Sequence, residues 1–259
     1  MKLYHVDAFT DKPFSGNPAA VCFLDEQREN SWMQKIAMEM NLSETAFAWP
    51  KGDGYELKWF TPTTEVDLCG HATLATAHAI WEEGLKPRES TLEFYTKSGT
   101  LTSKYTDGWI EMDFPSLPAR ESAPPEGLLE ALHVKASYVG KNEFDYLVEV
   151  TTEVMLRKIR PDFPKLARID MRGVIVTTRS SDYDFVSRFF APLAGVSEDP
   201  VTGSAHCCLA PYWGRKLKKE EMVGFQASPR GGIVKVQVKG DRVILGGKAV
   251  TIMKAELLQ

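Results

Sequence analysis

Two short runs carry the residue types that could do chemistry, Asp67-Leu68-Cys69-Gly70-His71-Ala72 and Asp199-Pro200-Val201-Thr202-Gly203-Ser204-Ala205. Each opens an apolar, small-residue segment that ends at a tryptophan, Trp81 or Trp213. A helix that begins at such a glycine aims backbone N–H groups and the positive end of its dipole at whatever lies before it, which makes an anion site. Two such starts facing one cleft would hold a small carboxylate or enolate between Gly70-His71 and Gly203-Ser204. For either copy alone the plainer reading is a glycine that permits a tight strand-to-helix turn. The matched pair favours binding.

The copies differ where an enzyme would need them to differ. Counting back from Pro62 and Pro192, Glu44 has Gly173 or Val174 as its opposite number, so only the first half offers a carboxylate there. Glu44 sits between a helix ending at Asn41 and an apolar strand, a buried edge where a carboxyl pKa rises toward neutrality and the group can take and return a proton. The alternative is an ordinary solvent-facing glutamate at a strand start. His71, opposite Ser204, can donate or accept a hydrogen bond or carry charge near neutral pH, unless it is a satisfied core histidine. Asp199, which echoes Asp67, is either a turn former or a partner that orients its neighbours.

The elements that must position these residues are themselves repeated. Phe60-Thr61-Pro62 precedes the first run and Phe190-Ala191-Pro192 the second, and the same 29-residue step separates Gly70 from Gly99 and Gly203 from Gly232. Strand patterns cover 3–9, 19–24, 45–49 and 55–60. A helix is predicted over 31–40, with Ser31 and Gln34 as a capping box and Asn41 at its stop. The segment 72–81 is apolar on every side and must be buried on every side. Segment 205–213 repeats that character, although Pro211 should kink or end it. The expected fold is therefore α+β, with two pseudo-symmetric domains, 1–117 and 118–259, each a strongly curved, mostly antiparallel sheet wrapped around a central helix. The last strands are expected to be able to pack on the first domain.

Composition limits the partners. A net charge of −4 with mixed signs gives no basic field for nucleic acid. No run approaches the ~18 apolar residues of a membrane span, and the N-terminus has no signal-peptide pattern, so a soluble, cytoplasmic protein is expected. Cys22, Cys69, Cys207 and Cys208 lack C-x-x-C spacing and read as reduced thiols. No zinc-ligand spacing and no nucleotide-binding glycine motif is present, so neither a metal nor an organic cofactor is expected.

Four motifs in order then resemble one family: Ser15-Gly16-Asn17-Pro18-Ala19-Ala20-Val21, Asn41-Leu42-Ser43-Glu44-Thr45-Ala46-Phe47, the Asp67 run through Thr73, and the Asp199 run with Glu198 before it. The chain resembles the PhzF, or phenazine biosynthesis-like, proteins, which share the diaminopimelate epimerase fold. The resemblance implies a cofactor-independent isomerase, a homodimer, and an active site in the cleft. It also implies Glu44 as the acid/base, with His71 and Asp199 polarising a small carboxylate-bearing, possibly cyclic metabolite. The Gly70-His71 and Gly203-Ser204 amides would hold its carboxylate or developing enolate. Related epimerases use two opposed cysteines; Cys69 falls at the first position, but Thr202 stands at the second, and a hydroxyl is too weak an acid to replace a thiol. A cysteine-assisted racemase and a non-catalytic metabolite-binding dimer are the alternative functions.

Overall fold

The structure is a computed structural model in which residues 1–258 are described. It divides into two compact units, 1–114 together with 246–259, and 115–245. The sequence-based division at 117/118 falls just after the first of these boundaries.

The first unit contains β1 (Lys2–Ala8), β2 (Asn17–Phe23), α1 (Asn30–Met40), β3 (Glu44–Lys51), β4 (Gly54–Phe60), β5 (Glu65–Val66), α2 (Gly70–Glu82), β6 (Leu92–Thr96), β7 (Gly99–Thr106) and β8 (Trp109–Pro115). In the second are β9 (Arg120–Glu121), α3 (Leu128–Leu132), β10 (Tyr138–Lys141), β11 (Asp145–Glu149), α4 (Glu153–Lys158), α5 (Phe163–Leu166), β12 (Gly173–Arg179), β13 (Phe185–Ala191), β14 (Val196–Asp199), α6 (Gly203–Leu217), β15 (Glu221–Gln226), β16 (Gly232–Lys239) and β17 (Arg242–Gly247). The last strand, β18 (Ala249–Glu256), pairs antiparallel with β1 and so belongs to the first unit.

The duplication is visible strand by strand. In the first unit β2 runs parallel to β3, β3 antiparallel to β4, and β4 pairs antiparallel with β5 and parallel with β6. In the second, β11 runs parallel to β12, β12 antiparallel to β13, and β13 pairs antiparallel with β14 and parallel with β15. α2 and α6 occupy the same place in this order, between the short strand and the parallel one. Antiparallel pairs dominate, and the class is α+β.

α2 is buried on all sides, as an all-apolar helix must be; ten of its thirteen residues, including His71, Ala72, Leu74 and Trp81, are buried. Its two buried threonines satisfy their hydroxyls within the helix, Thr73 donating to the Cys69 carbonyl at 2.6 Å and Thr76 to that of Ala72 at 2.7 Å. α6 is likewise buried, but it continues to Leu217 with Pro211 inside it. Of the two outcomes expected at Pro211, a kink or an end, the end is therefore ruled out. Proline removes the N–H that would bond the carbonyl four residues back, which here is Cys207. The Leu117 N–H, at 3.1 Å, takes that carbonyl instead.

The capping box at Ser31 and Gln34 is also corrected. α1 starts at Asn30 with Glu29 as its cap residue and no side-chain cap bond. The Gln34 amide instead donates to the Thr61 carbonyl at 2.8 Å, tying α1 to the end of β4. Its other end agrees with the sequence: Asn41 adopts the left-handed conformation, φ 49°, and its N–H closes on the Ala37 carbonyl. That turn delivers the chain to β3 with Glu44 as first residue.

Candidate active site

Glu44 opens β3 and lies opposite Ala19 of β2. Cys69 caps α2 in an extended conformation, and His71 is the second helical residue. These placements bring Glu44 Oε2 to 3.2 Å from His71 Nε2, with the histidine side chain 7% and the glutamate 20% exposed. On the other edge of the ring, Asn17 Nδ2 stands 3.3 Å and Cys69 Sγ 3.6 Å from Nδ1. Asn17, fully buried, is the first residue of β2. The turn before it needs Gly16, at φ 66°, because a Cβ there would lie 2.1 Å from the Ala8 carbonyl oxygen.

Burial works against a charged His71, but its interactions with Cys69 and then Glu44 outweigh it and hold the imidazole well above its ordinary value. The two partners pull differently: burial, then Glu44, pushes the Cys69 thiol up, so at neutral pH it keeps its proton. Either ring state can carry an N–H at Nε2, the nitrogen 3.2 Å from Glu44 Oε2, although the two atoms do not meet in hydrogen-bond geometry. The neutral form carries it when Asn17 donates to Nδ1, and the imidazolium does so because both nitrogens carry protons.

In the second unit Asp199 ends β14, and Thr202 caps α6 at the position Cys69 holds in α2. The Thr202 hydroxyl donates to Asp199 Oδ2. A buried glutamine, Gln226, clamps this turn. Its Oε1 accepts from the Thr202 N–H at 2.9 Å, and its Nε2 donates to the Asp199 carbonyl at 2.8 Å and to Thr202 Oγ1 at 3.2 Å. Next to it, Glu198 is gripped by both arms of Arg188, at 2.7 and 2.8 Å. Gly203 is buried and Ser204 half-buried at the start of α6.

The asymmetry has a steric origin. Gly173 opens β12, parallel to β11, as Glu44 opens β3 parallel to β2. A Cβ at Gly173 would lie 2.4 Å from the Phe189 ring, so the second unit fills with an aromatic ring the space in which the first carries a carboxylate. The echo of Asp199 at position 67 is a surface residue, paired with Lys97 at 2.9 Å. Sequence patterns marked Glu44, His71, Gly70, Asp199, Gly203 and Ser204; within each unit the structure gathers them at the helix start. Neither Asn17 nor Gln226 was assigned a role. Asn17 lies inside the Ser15–Val21 motif, whereas Gln226 ends a strand and carries no local signal.

The sequence profile of the PhzC-PhzF family, phenazine biosynthesis-like protein, matches residues 6–255. The chain belongs to this family. An uncharacterized isomerase of Halalkalibacterium halodurans is 55% identical over 259 residues, covering 99% of this chain and 98% of that protein. A crystal structure of a PhzF-family phenazine biosynthesis protein from Enterococcus faecalis superposes with a TM-score of 0.94 at 42% identity, covering 99% of each chain. The fold extends further: a probable proline racemase from Agrobacterium radiobacter has a TM-score of 0.68 at 10% identity, with 99% of this chain and 92% of that one covered. By class this member of the phenazine biosynthesis-like family is an isomerase, on the diaminopimelate epimerase-like fold. Among the described residues no helix is long and apolar enough to cross a membrane.

Proposed function

We propose that the protein is a cofactor-independent isomerase that moves a proton on a small carboxylate-bearing, possibly cyclic metabolite, with Glu44 as acid and base. The observation that carries this reading is the 3.2 Å approach of Glu44 Oε2 to His71 Nε2 at the buried start of α2. The Glu44 carboxylate takes a proton from a carbon next to the substrate's carbonyl or carboxylate, and the electron pair of the broken C–H bond moves onto the oxygen as an enolate. The His71 N–H and the first amides of α2 stabilise that charge. The Glu44 carboxylic acid then returns the proton to a different carbon, so the product differs only in the position of one hydrogen. We assign Asp199, Gly203 and Ser204 to substrate binding, on the strength of the clamped turn that fixes them. A homodimer is part of the same proposal, and sedimentation showing only the 29.0 kDa chain at micromolar concentration would remove it.

Glu44→Gln preserves shape but cannot exchange a proton. Turnover and solvent-deuterium incorporation into a substrate should fall by about 10²–10⁴-fold while binding persists. Unchanged exchange in this variant would remove Glu44 from the mechanism. A cysteine-assisted racemisation draws on one observation, the 3.6 Å approach of Cys69 Sγ to His71 Nδ1. Against it, the position matching Cys69 in the second unit is Thr202, whose hydroxyl is spent on Asp199. Cys69→Ala should cost far less turnover than Glu44→Gln, and the reverse order would favour the racemase.

A further inference from the structure

The proton-transfer reading leaves Cys69 without a task, yet three donors of different chemistry meet at that point. One ligand atom each from Glu44, Cys69 and His71 lies within 4.8 Å of the other two. The Sγ to Nδ1 distance is 3.6 Å and the Oε2 to Nε2 distance 3.2 Å. Zinc–sulfur bonds of ~2.3 Å and zinc–nitrogen or zinc–oxygen bonds of ~2.0–2.2 Å set tetrahedral edges of about 3.4–3.6 Å; the Glu44 to Nε2 approach is already near such an edge, and turning the Cys69 side chain from Nδ1 toward Nε2 closes the set on one ion. Apart from their mutual contact, Glu44 Oε2 and His71 Nε2 hold no hydrogen bond among the described residues, although both atoms are buried.

We propose that Glu44, Cys69 and His71 form a capture site for a borderline-soft divalent ion of the zinc class, which seats itself on the proton-transfer groups and arrests turnover. A thiolate and an imidazole select zinc-like ions over magnesium or calcium, which take all-oxygen sets. Three protein ligands leave a fourth position for water. His71 ligates through Nε2, and a half-turn of the Asn17 amide lets its oxygen accept the Nδ1 proton, the outer-shell bond that ligating histidines usually make. The balance is simple: the thiol and the Nε2 site each release a proton to water, Glu44 gives a carboxylate oxygen, and no electron is transferred. The other thiols lack this company: among the described residues the only group of three or more such ligands is the Glu44 set.

The arrest rests on Glu44 as base; the capture does not. The test is Co²⁺ added to chelator-treated, full-length protein, read by visible and near-ultraviolet absorption. Expected are a thiolate-to-cobalt charge-transfer band saturating at one ion per chain, its displacement by Zn²⁺, its loss in Cys69→Ser, and affinity weakened roughly tenfold or more in Glu44→Gln and His71→Gln. Thermal unfolding checks that each variant is folded, and a Co²⁺-dependent rise in melting temperature in the parent alone gives a second reading. Absence of the band, its survival in Cys69→Ser, or undiminished affinity in Glu44→Gln would overturn the site. Failure of the chelator-treated enzyme to exchange solvent deuterium would instead count against the isomerase mechanism and leave the cobalt result standing.

Discussion

Two buried histidines titrate in opposite directions, and the difference lies in what each faces. His71 has the carboxylate of Glu44 beside it and is held up. His206 faces no charge: Nδ1 meets the Thr202 carbonyl at 2.8 Å, the ring lies against Phe185, and burial pushes its pKa down to about 4. Between about pH 6.5 and 4 the unfolded chain binds a proton at His206 that the folded chain refuses, so stability falls as pH falls through this window, by about 3 kcal/mol in all. His206→Asn keeps a donor for the Thr202 carbonyl and removes the titration. Urea midpoints measured from pH 7 to 4 should slope less steeply in this variant than in the parent; equal slopes would place the acid sensitivity elsewhere. His71 has the opposite sign: its pairing stabilises fully below about pH 6.5 and fades as pH rises through its elevated folded value.

At the scale of elements, what was legible in the sequence was whatever is encoded locally. The buried helices announced themselves by their apolar circumference, the stop at Asn41 by its residue type, and the match of Glu44 to Gly173 or Val174 by counting from two prolines, between which the strand start at Gly173 decides. What was hidden depends on partners far along the chain. Nothing near Pro211 shows that Leu117 will take the orphaned carbonyl of Cys207, and nothing near Gln34 shows that the Thr61 carbonyl will draw its amide away from a cap. The clamp at Asp199 was invisible for the same reason, since Gln226 lies beyond the whole of α6. The match between β3 and β12 gives a test. Gly173→Ala places a methyl group 2.4 Å from the buried Phe189 ring and 3.0 Å from the Phe190 carbonyl oxygen, and should cost about 1–3 kcal/mol by denaturant unfolding. A neutral result would mean that the ring yields and that a side chain was always possible there.

For the whole molecule, the decisive connection is β18. It pairs with β1 from Lys2↔Glu256 to Ala8↔Ala249, and β1 otherwise pairs with β2. Deleting residues 249–259 leaves β1 as an exposed edge, a template for aggregation. Amide exchange in the truncated chain should lose protection in β1 and β2 while β12 and β13, whose partners all lie within 115–245, keep theirs. Uniform loss across both units would mean that they do not stand independently. The same connection sets an order of events on the ribosome. Domains usually complete in the order they are made, but here the first unit needs the final strand, while the second has all its residues once 245 has emerged. At about 5–20 residues per second, the nascent chain carries β1 unpaired on one side for on the order of ten seconds or more, while the residues between β2 and β18 are being made. A cell making this protein must shield β1 until β18 has been made, which gives chaperones that bind nascent, unpaired strands a stake in its yield.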